Sequence, residues 1–336
     1  MNKVLLVFCT GVFLQAQTWT PQTSNTTASL RGISVVNKLT AWAGGSKGTY
    51  LLTTDGGASW KSATVPGAAD SDFRAVHAFD EKTAILLSIG AGEKSRIYKT
   101  KDGGGRWELV YTNPDPKGFF DGIAFWDPSH GILLGDPVDG HFVIMTTDDG
   151  GDSWTREKTP PAEPQEGAFA ASNSSLFVLG KHEVWFATGG PKGARVFHSE
   201  ENGKKWTVAQ TPIRNDSANA GIFSIAFLNP LIGIAVGGDY SKPADPAHNI
   251  AITEDGGKRW KAPESGPNGF RSSIKYVADQ KMWIATGTSG SDFSKDKGKT
   301  WKPFDKANYN AMDFLLSYAG WAVGPKGAIA HFALEQ

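Results

Sequence analysis

One cysteine, Cys9, occurs in 336 residues, and it lies inside the first apolar run. A chain that loses this segment has neither disulfides nor thiolate chemistry to call on. No charge excess exists: 34 Lys+Arg face 34 Asp+Glu. The basic stripe of a nucleic-acid binder is therefore missing, and no nucleic-acid partner is expected. Apolar runs long enough to span a bilayer are missing too, since the longest, Val4 to Leu14, has about half of the ~20 residues a spanning helix needs. His77, His182, His198 and His331 show no metal-ligand spacing, so no metal is expected. No G-x-S-x-G, P-loop or dinucleotide fingerprint occurs, and no cofactor is expected. Long helices are excluded by 40 glycines and 18 prolines spread along the chain. With 40 % hydrophobic residues and 20 % charged, the chain is nonetheless a folder.

The N-terminus, MNKVLLVFCTGVFLQA, has one lysine, an apolar stretch and a small residue, Ala16. That is the three-part design of an export signal, cut near Ala16. Residues 1–16 are read as a signal peptide of a periplasmic or secreted protein that keeps no membrane span after cleavage. Phe8, ahead of Cys9, is too large for a lipoprotein signal.

What the sequence has in quantity is a repeat. Six units recur: TTDGGASW (53–60), TKDGGGRW (100–107), TDDGGDSW (147–154), SEENGKKW (199–206), TEDGGKRW (253–260) and SKDKGKTW (294–301). Their tryptophans are spaced by 47, 47, 52, 54 and 41 residues, the period of a four-stranded propeller blade. In each unit a short Asp side chain can accept backbone N–H groups just ahead of it, closing a turn. The glycine two residues later can take positive φ. The tryptophan opens the next strand and buries its ring, worth roughly 4–6 kcal/mol gross at ~25 cal/mol per Å². Asp55, Trp60, Asp102, Trp107, Asp149, Trp154, Trp206, Asp255, Trp260, Asp296 and Trp301 are thus structural. The loops lack the evenly spaced oxygens of a Ca²⁺ cage.

Upstream of the units lie paired apolar strands, as in LRGISVVNKLTAWAGG (30–45), FDGIAFWDPSHGILLGD (120–136) and IFSIAFLNPLIGIAVGGD (222–239). Four antiparallel strands per repeat make a blade. Residues 309–336 hold three strands of a seventh blade and no Trp unit, while Trp19 precedes Trp60 by 41 residues, one period. The expectation is an all-β, seven-bladed propeller over 17–336, a single domain, closed by the N-terminal strand joining the C-terminal blade and so hiding its edges.

In such a fold the starts of the first strands and the ends of the second strands open on one face. First-strand starts carry Arg31, Arg74, Asp121, Arg271 and Asn310 beside Phe73, Phe120, Phe270 and Tyr309. The fourth blade offers Asn173 after a longer loop with Glu166. Second-strand ends carry Asp136, Asp239 and Tyr240. Arginine forks suit carboxylates or phosphates, and paired acids suit general acid/base work. The bland reading of the same residues is mutual pairing around a polar channel. The Asp-Pro pairs at Asp115, Asp127, Asp136 and Asp245 read first as turns.

The six units resemble the Asp-box, or bacterial neuraminidase, repeat; the fourth departs from it with Glu201 for Asp and Asn202 before the glycine. That repeat occurs in sialidases, other glycosidases, sorting receptors and assembly factors, so it implies a fold and no activity. SLRGISVVNKLTAWAGGSKGTYLLTTDGGASW, FFDGIAFWDPSHGILLGDPVDG and AGIFSIAFLNPLIGIAVGGDY are similar to the photosystem II stability/assembly-factor-like propellers and their secreted bacterial relatives. This resemblance implies an exported, non-catalytic scaffold that binds a protein partner. An arginine-rich patch serves partner binding in the photosynthetic members, which here points to Arg31, Arg74 and Arg271, with Asp136, Asp239 and Tyr240 beside them. The alternative is a glycoside hydrolase with a carbohydrate ligand, using Asp121, Asp136, Glu166, Asp239 and Tyr240. The Arg-Ile-Pro motif of sialidases is absent, Arg31 being followed by Gly32 and Ile33.

Overall fold

A computed structural model describes residues 17–334. The segment expected to be an export signal, 1–16 with Cys9, lies outside the described residues. Seven antiparallel sheets succeed one another along the chain. Their innermost strands are Leu30–Val35, Asp72–Ala78, Phe120–Phe125, Leu176–Leu179, Ala220–Phe227, Ser273–Val277 and Ala311–Leu316, each packed beside the next and the last beside the first. This is the seven-bladed propeller. Six blades have four strands. The fifth has three, its outermost strand reduced to one bridge between Ile252 and Lys261. Pro263, Gly266 and Pro267 follow that bridge; proline has no N–H for a ladder and glycine weakens one.

The second strands of the blades read as largely apolar runs because neighbouring blades cover both faces. Ala41–Gly45 and Met282–Gly287 are buried throughout, whereas the outermost Lys61–Thr64 is not. Seven apolar clusters fill the seven seams between blades. Each blade's unit tryptophan packs into the seam with the preceding blade: Trp60 against Trp321, Trp107 against Trp42 and Tyr50, and Trp154 in the cluster that holds Ile85, Leu87 and Ile97.

The units close as their residues dictate. In the first, Asp55 Oδ1 accepts the Ser59 N–H at 2.9 Å and the Thr53 hydroxyl at 2.8 Å, while Thr53 Oγ1 accepts the Gly57 N–H at 2.9 Å. Gly57 has φ +83°, and the matching glycines of the other five units are also left-handed. In the fourth unit Ser199 still accepts the Gly203 N–H, but Glu201 reaches Lys205 Nζ at 2.9 Å instead of the backbone.

The ring closes as expected. Gln17–Pro21 pairs antiparallel with Ile329–Leu334, Trp19 opposite Phe332. Trp19 Nε1 donates to Ser291 Oγ of the sixth blade at 3.0 Å. Just beyond, Gln22 Oε1 accepts from both Trp60 and Trp321.

Inner strands are also stitched by side chains. Ser34 accepts the Ala78 N–H, Asn173 the Ile123 N–H, Ser224 the Ile274 N–H, and Asp313 the Val35 N–H. Ser172, Ser174 and Ser224 form a hydroxyl chain between the fourth and fifth blades, with Ser172 donating to the Ser272 carbonyl at the sixth.

Candidate functional site

Four first strands share one irregularity. Their pairing slips between Leu30 and Gly32, Phe73 and Ala75, Phe120 and Gly122, and Ile222 and Ser224. A bulge turns its extra residue out of the ladder. The residues so released are Arg31, Arg74, Asp121 and Phe223, and all four line one funnel of about 460 Å³ at the mouth of the channel. Asn310 and Ser272 stand at the same level on the last two blades. Phe169, Phe270 and Tyr240 complete the wall.

The two arginines differ. Arg74 donates to Asp72 at 2.9 Å and to the Ala170 carbonyl at 3.3 Å. Arg31 makes no side-chain hydrogen bond or ion pair among the described residues; burial first, and then the Arg74 charge, hold its guanidinium below the usual range, with Asp72 pulling the other way. A guanidinium carries five N–H donors and no acceptor.

On the next blade stand two acids. Asp121 is 1 % exposed, and its carboxyl oxygens make no close hydrogen bond among the described residues, the Asp136 and Ala170 N–H groups being its nearest donors. Burial, followed by the neighbouring Asp136 charge, pushes it well above the carboxylate range, and Arg74 opposes this. Asp136 is pushed up to about 6, mainly by burial, while the Ala168 N–H on its Oδ1 at 2.8 Å pulls it down. The aromatic side is a platform: Phe169 and Phe223 stack at 3.8 Å and 7°, and Phe270 meets Phe223 edge-on at 4.7 Å. Tyr240 is 50 % exposed, its hydroxyl bonded to Asn219 Oδ1 at 2.7 Å.

A second cavity of about 660 Å³ adjoins the funnel and shares Asp136, Ala168 and Phe169 with it. One wall is the long segment before the fourth blade, pinned by Glu166. The Glu166 carboxylate accepts from Arg195 Nε at 2.8 Å, from Arg195 Nη2 and from Thr188, and also caps the Glu163 N–H. Glu166, expected as a possible acid, is a buried anchor instead.

Two further expectations need correction. Arg271 is not at the funnel wall. It sits one residue earlier in register, at the core position held by Leu30, Phe73, Phe120 and Ile222 in other blades; Ser272 takes the place of Arg31. Its guanidinium is buried against Asp292, the Phe270 carbonyl and Ser289. Asp239 is likewise buried, accepting the Ser241 N–H at 2.9 Å and its hydroxyl at 2.6 Å as a turn cap, with Lys242 at 3.8 Å. Arg31, Arg74, Asp121, Asp136 and Tyr240 are the expected residues that the fold does bring together. Phe169 and Phe223 were missed because an aromatic residue in an apolar segment reads as core.

The histidines have ordinary surroundings. His77 stacks on Phe125, and burial lowers it to about 4. Among the described residues one group, Glu183, His198 and Glu200, gathers possible metal ligands that sequence spacing did not reveal. There His198 Nε2 is already 2.5 Å from Glu183 and its ring lies flat on Trp185. Asp115, Asp127 and Asp245 cap turns, accepting the N–H groups of Lys117, Ser129 and Ala247.

No family model matches the chain, and no curated protein is similar to it in sequence. Solved structures are similar in fold. YCF48 bound to a D1 peptide superposes with a TM-score of 0.67 over 97 % of this chain and 98 % of its own, at 18 % identity. YCF48 from Cyanidioschyzon merolae gives 0.63, 95 %, 99 % and 16 %. The WD40 propeller domain of Doa1 gives 0.65, 95 %, 98 % and 12 %. At these identities the likeness is one of architecture, and it agrees with the seven blades counted above.

Proposed function

We propose that this protein is a non-catalytic scaffold whose funnel docks a peptide segment of a protein partner. The partner's carboxylate meets Arg31 and Arg74, and an apolar side chain lies among Phe169, Phe223 and Phe270. The observation that carries this is Arg31, a half-buried guanidinium without an acceptor, presented by a bulge beside an aromatic platform. A bidentate carboxylate supplies what that group lacks. A propeller of similar architecture, YCF48, has been solved with a D1 peptide, which supports a peptide as the ligand type. On the sequence of residues 1–16 we place the protein in the periplasm or outside the cell.

Selection of a random-peptide display library on the purified protein tests this. Sequences pairing an acidic residue with an aromatic or aliphatic one should be enriched, and Arg31→Glu with Arg74→Glu should abolish the enrichment. Equal enrichment on the double variant would refute the reading. The alternative, a glycoside hydrolase, draws on one observation, the adjacent Asp121 and Asp136 carboxyls with raised proton affinity. Turnover of a polysaccharide or sialoside, lost in Asp136→Asn, would establish it. Against it, both Asp121 oxygens are sealed from solvent.

A further inference from the structure

The funnel does not stand alone. The cavity beside it is larger, and the two meet across Asp136, Ala168 and Phe169. Each has the size of a small-ligand pocket. A compact ligand would fill one; two in series fit an elongated one. The second cavity lies between the turn after the second strand of the third blade (Asp136 to Gly140) and the pinned segment Ala162–Phe169.

The two compartments differ in the charged groups they present: arginines occur only in the funnel lining, glutamates only in that of the side cavity. The funnel holds the unpaired Arg31. In the side cavity Glu166 is neutralised by Arg195, and Lys117 is engaged with Asp139 at 3.1 Å. Besides these, the groove is lined by Asp136, whose Oδ1 takes the Ala168 N–H, and by Glu163, half-exposed and in a long ion pair of 3.9 Å with Arg195 Nη1.

We infer that the side cavity is a second subsite for the same peptide, holding basic residues that follow or precede the carboxylate bound at Arg31. This rests on the peptide reading above. The bound segment is then dipolar along its length, acidic over the axis and basic toward the gap between the third and fourth blades. Asp136 marks the crossing, facing the axis on one side and the groove on the other. Charge complementarity of this kind fixes register and direction, so the chain can lie only one way round.

The test is the same display selection run on three proteins: wild type, Arg31→Glu/Arg74→Glu, and Glu163→Lys. Wild type should enrich Lys or Arg at a fixed offset from the acidic residue. Glu163→Lys should keep the acidic preference and lose the basic one, and should bind the best wild-type peptide roughly tenfold more weakly. Ala218→Trp, an exposed position on the cavity wall, should give a similar loss by blocking the groove. Removing the basic residues from that peptide should weaken it on wild type yet cost little further on Glu163→Lys, as a coupled pair requires. If Glu163→Lys and Ala218→Trp select the same sequences as wild type while the arginine variant does not, the groove is no subsite and the funnel reading stands. If wild type enriches nothing, both fall together.

Discussion

Arg271 and Asp292 form an ion pair in which each side chain is only 1 % exposed, with Arg271 Nε donating to Asp292 Oδ2 at 2.7 Å. The arginine occupies a core register that four other blades fill with Leu30, Phe73, Phe120 and Ile222. Its remaining N–H groups go to the Phe270 and Asn268 carbonyls and Ser289, so the pair ties together the loops flanking the sixth blade.

Breaking such a pair leaves a bare charge in a dry site. Asp292→Ala should cost about 3–5 kcal/mol, whereas Arg271→Leu with Asp292→Val should cost far less, because an apolar pair matches the other blades. Urea unfolding of the three proteins measures this. A single substitution no worse than the double would show that the guanidinium finds water instead.

Arg271 also shows where sequence reading stops. The repeat fixes the blade count and the strand order, since each Trp unit is legible by itself. Which residue faces the funnel depends on a one-residue bulge, and a slip of one moves a side chain between wall and core. Arg31, Arg74 and Asp121 share a motif, an apolar residue, a polar one, then Gly or Ala before the next apolar residue, and so were found together. Arg271 follows Phe270 as Arg74 follows Phe73, but one residue more separates it from the apolar Ile274, and that spacing points to Ser272 instead. Glu166 and Asp239 looked free because their partners, Arg195 and Ser241, declare themselves only in three dimensions.

The fourth unit offers a gain-of-stability prediction. Five units hold an Asp carboxylate on the N–H four residues ahead, while Glu201, one methylene longer, turns to Lys205. Glu201→Asp should restore that bond and raise stability by about 0.5–1.5 kcal/mol, read as a higher midpoint in thermal unfolding. Asp149→Ala should move the midpoint down. An unchanged midpoint in Glu201→Asp would mean that Asn202 already fixes the turn.

Acid and neutral pH should separate two sets of carboxyls. Asp55 is held at about 2 by its bonds to Ser59 and Thr53, so its contribution is present above about pH 4 and is lost as pH falls toward 2. Asp136 has the opposite sign. Its value rises from 3.8 to about 6, so between those values the folded state keeps a proton that the unfolded chain has released. Stability therefore falls as pH rises through that window and levels off above it. Asp136→Asn should reduce this slope, leaving the part that the buried Asp121 contributes, and stabilise the protein at pH 7 by roughly 1–3 kcal/mol, with no gain below pH 4. A gain independent of pH would assign the effect to packing.

The aromatic platform can be tested without touching a charge. Gly189 lies under Phe169 so closely that a Cβ there would stand 2.1 Å from Phe169 Cε2 and 2.9 Å from the Ala220 carbonyl oxygen. The ring can yield and the backbone cannot. Gly189→Ala should thus push Phe169 off Phe223 and narrow the passage between funnel and groove, at a stability cost of about 1–3 kcal/mol for overpacking. A display-selected peptide should bind this variant roughly tenfold more weakly, and Phe169→Ala, which removes the ring without strain, should lose as much affinity. Wild-type affinity in both variants would exclude the stacked pair from the docking site and leave recognition to the arginines. Loss in Gly189→Ala alone would identify the passage, not the platform, as what the peptide needs.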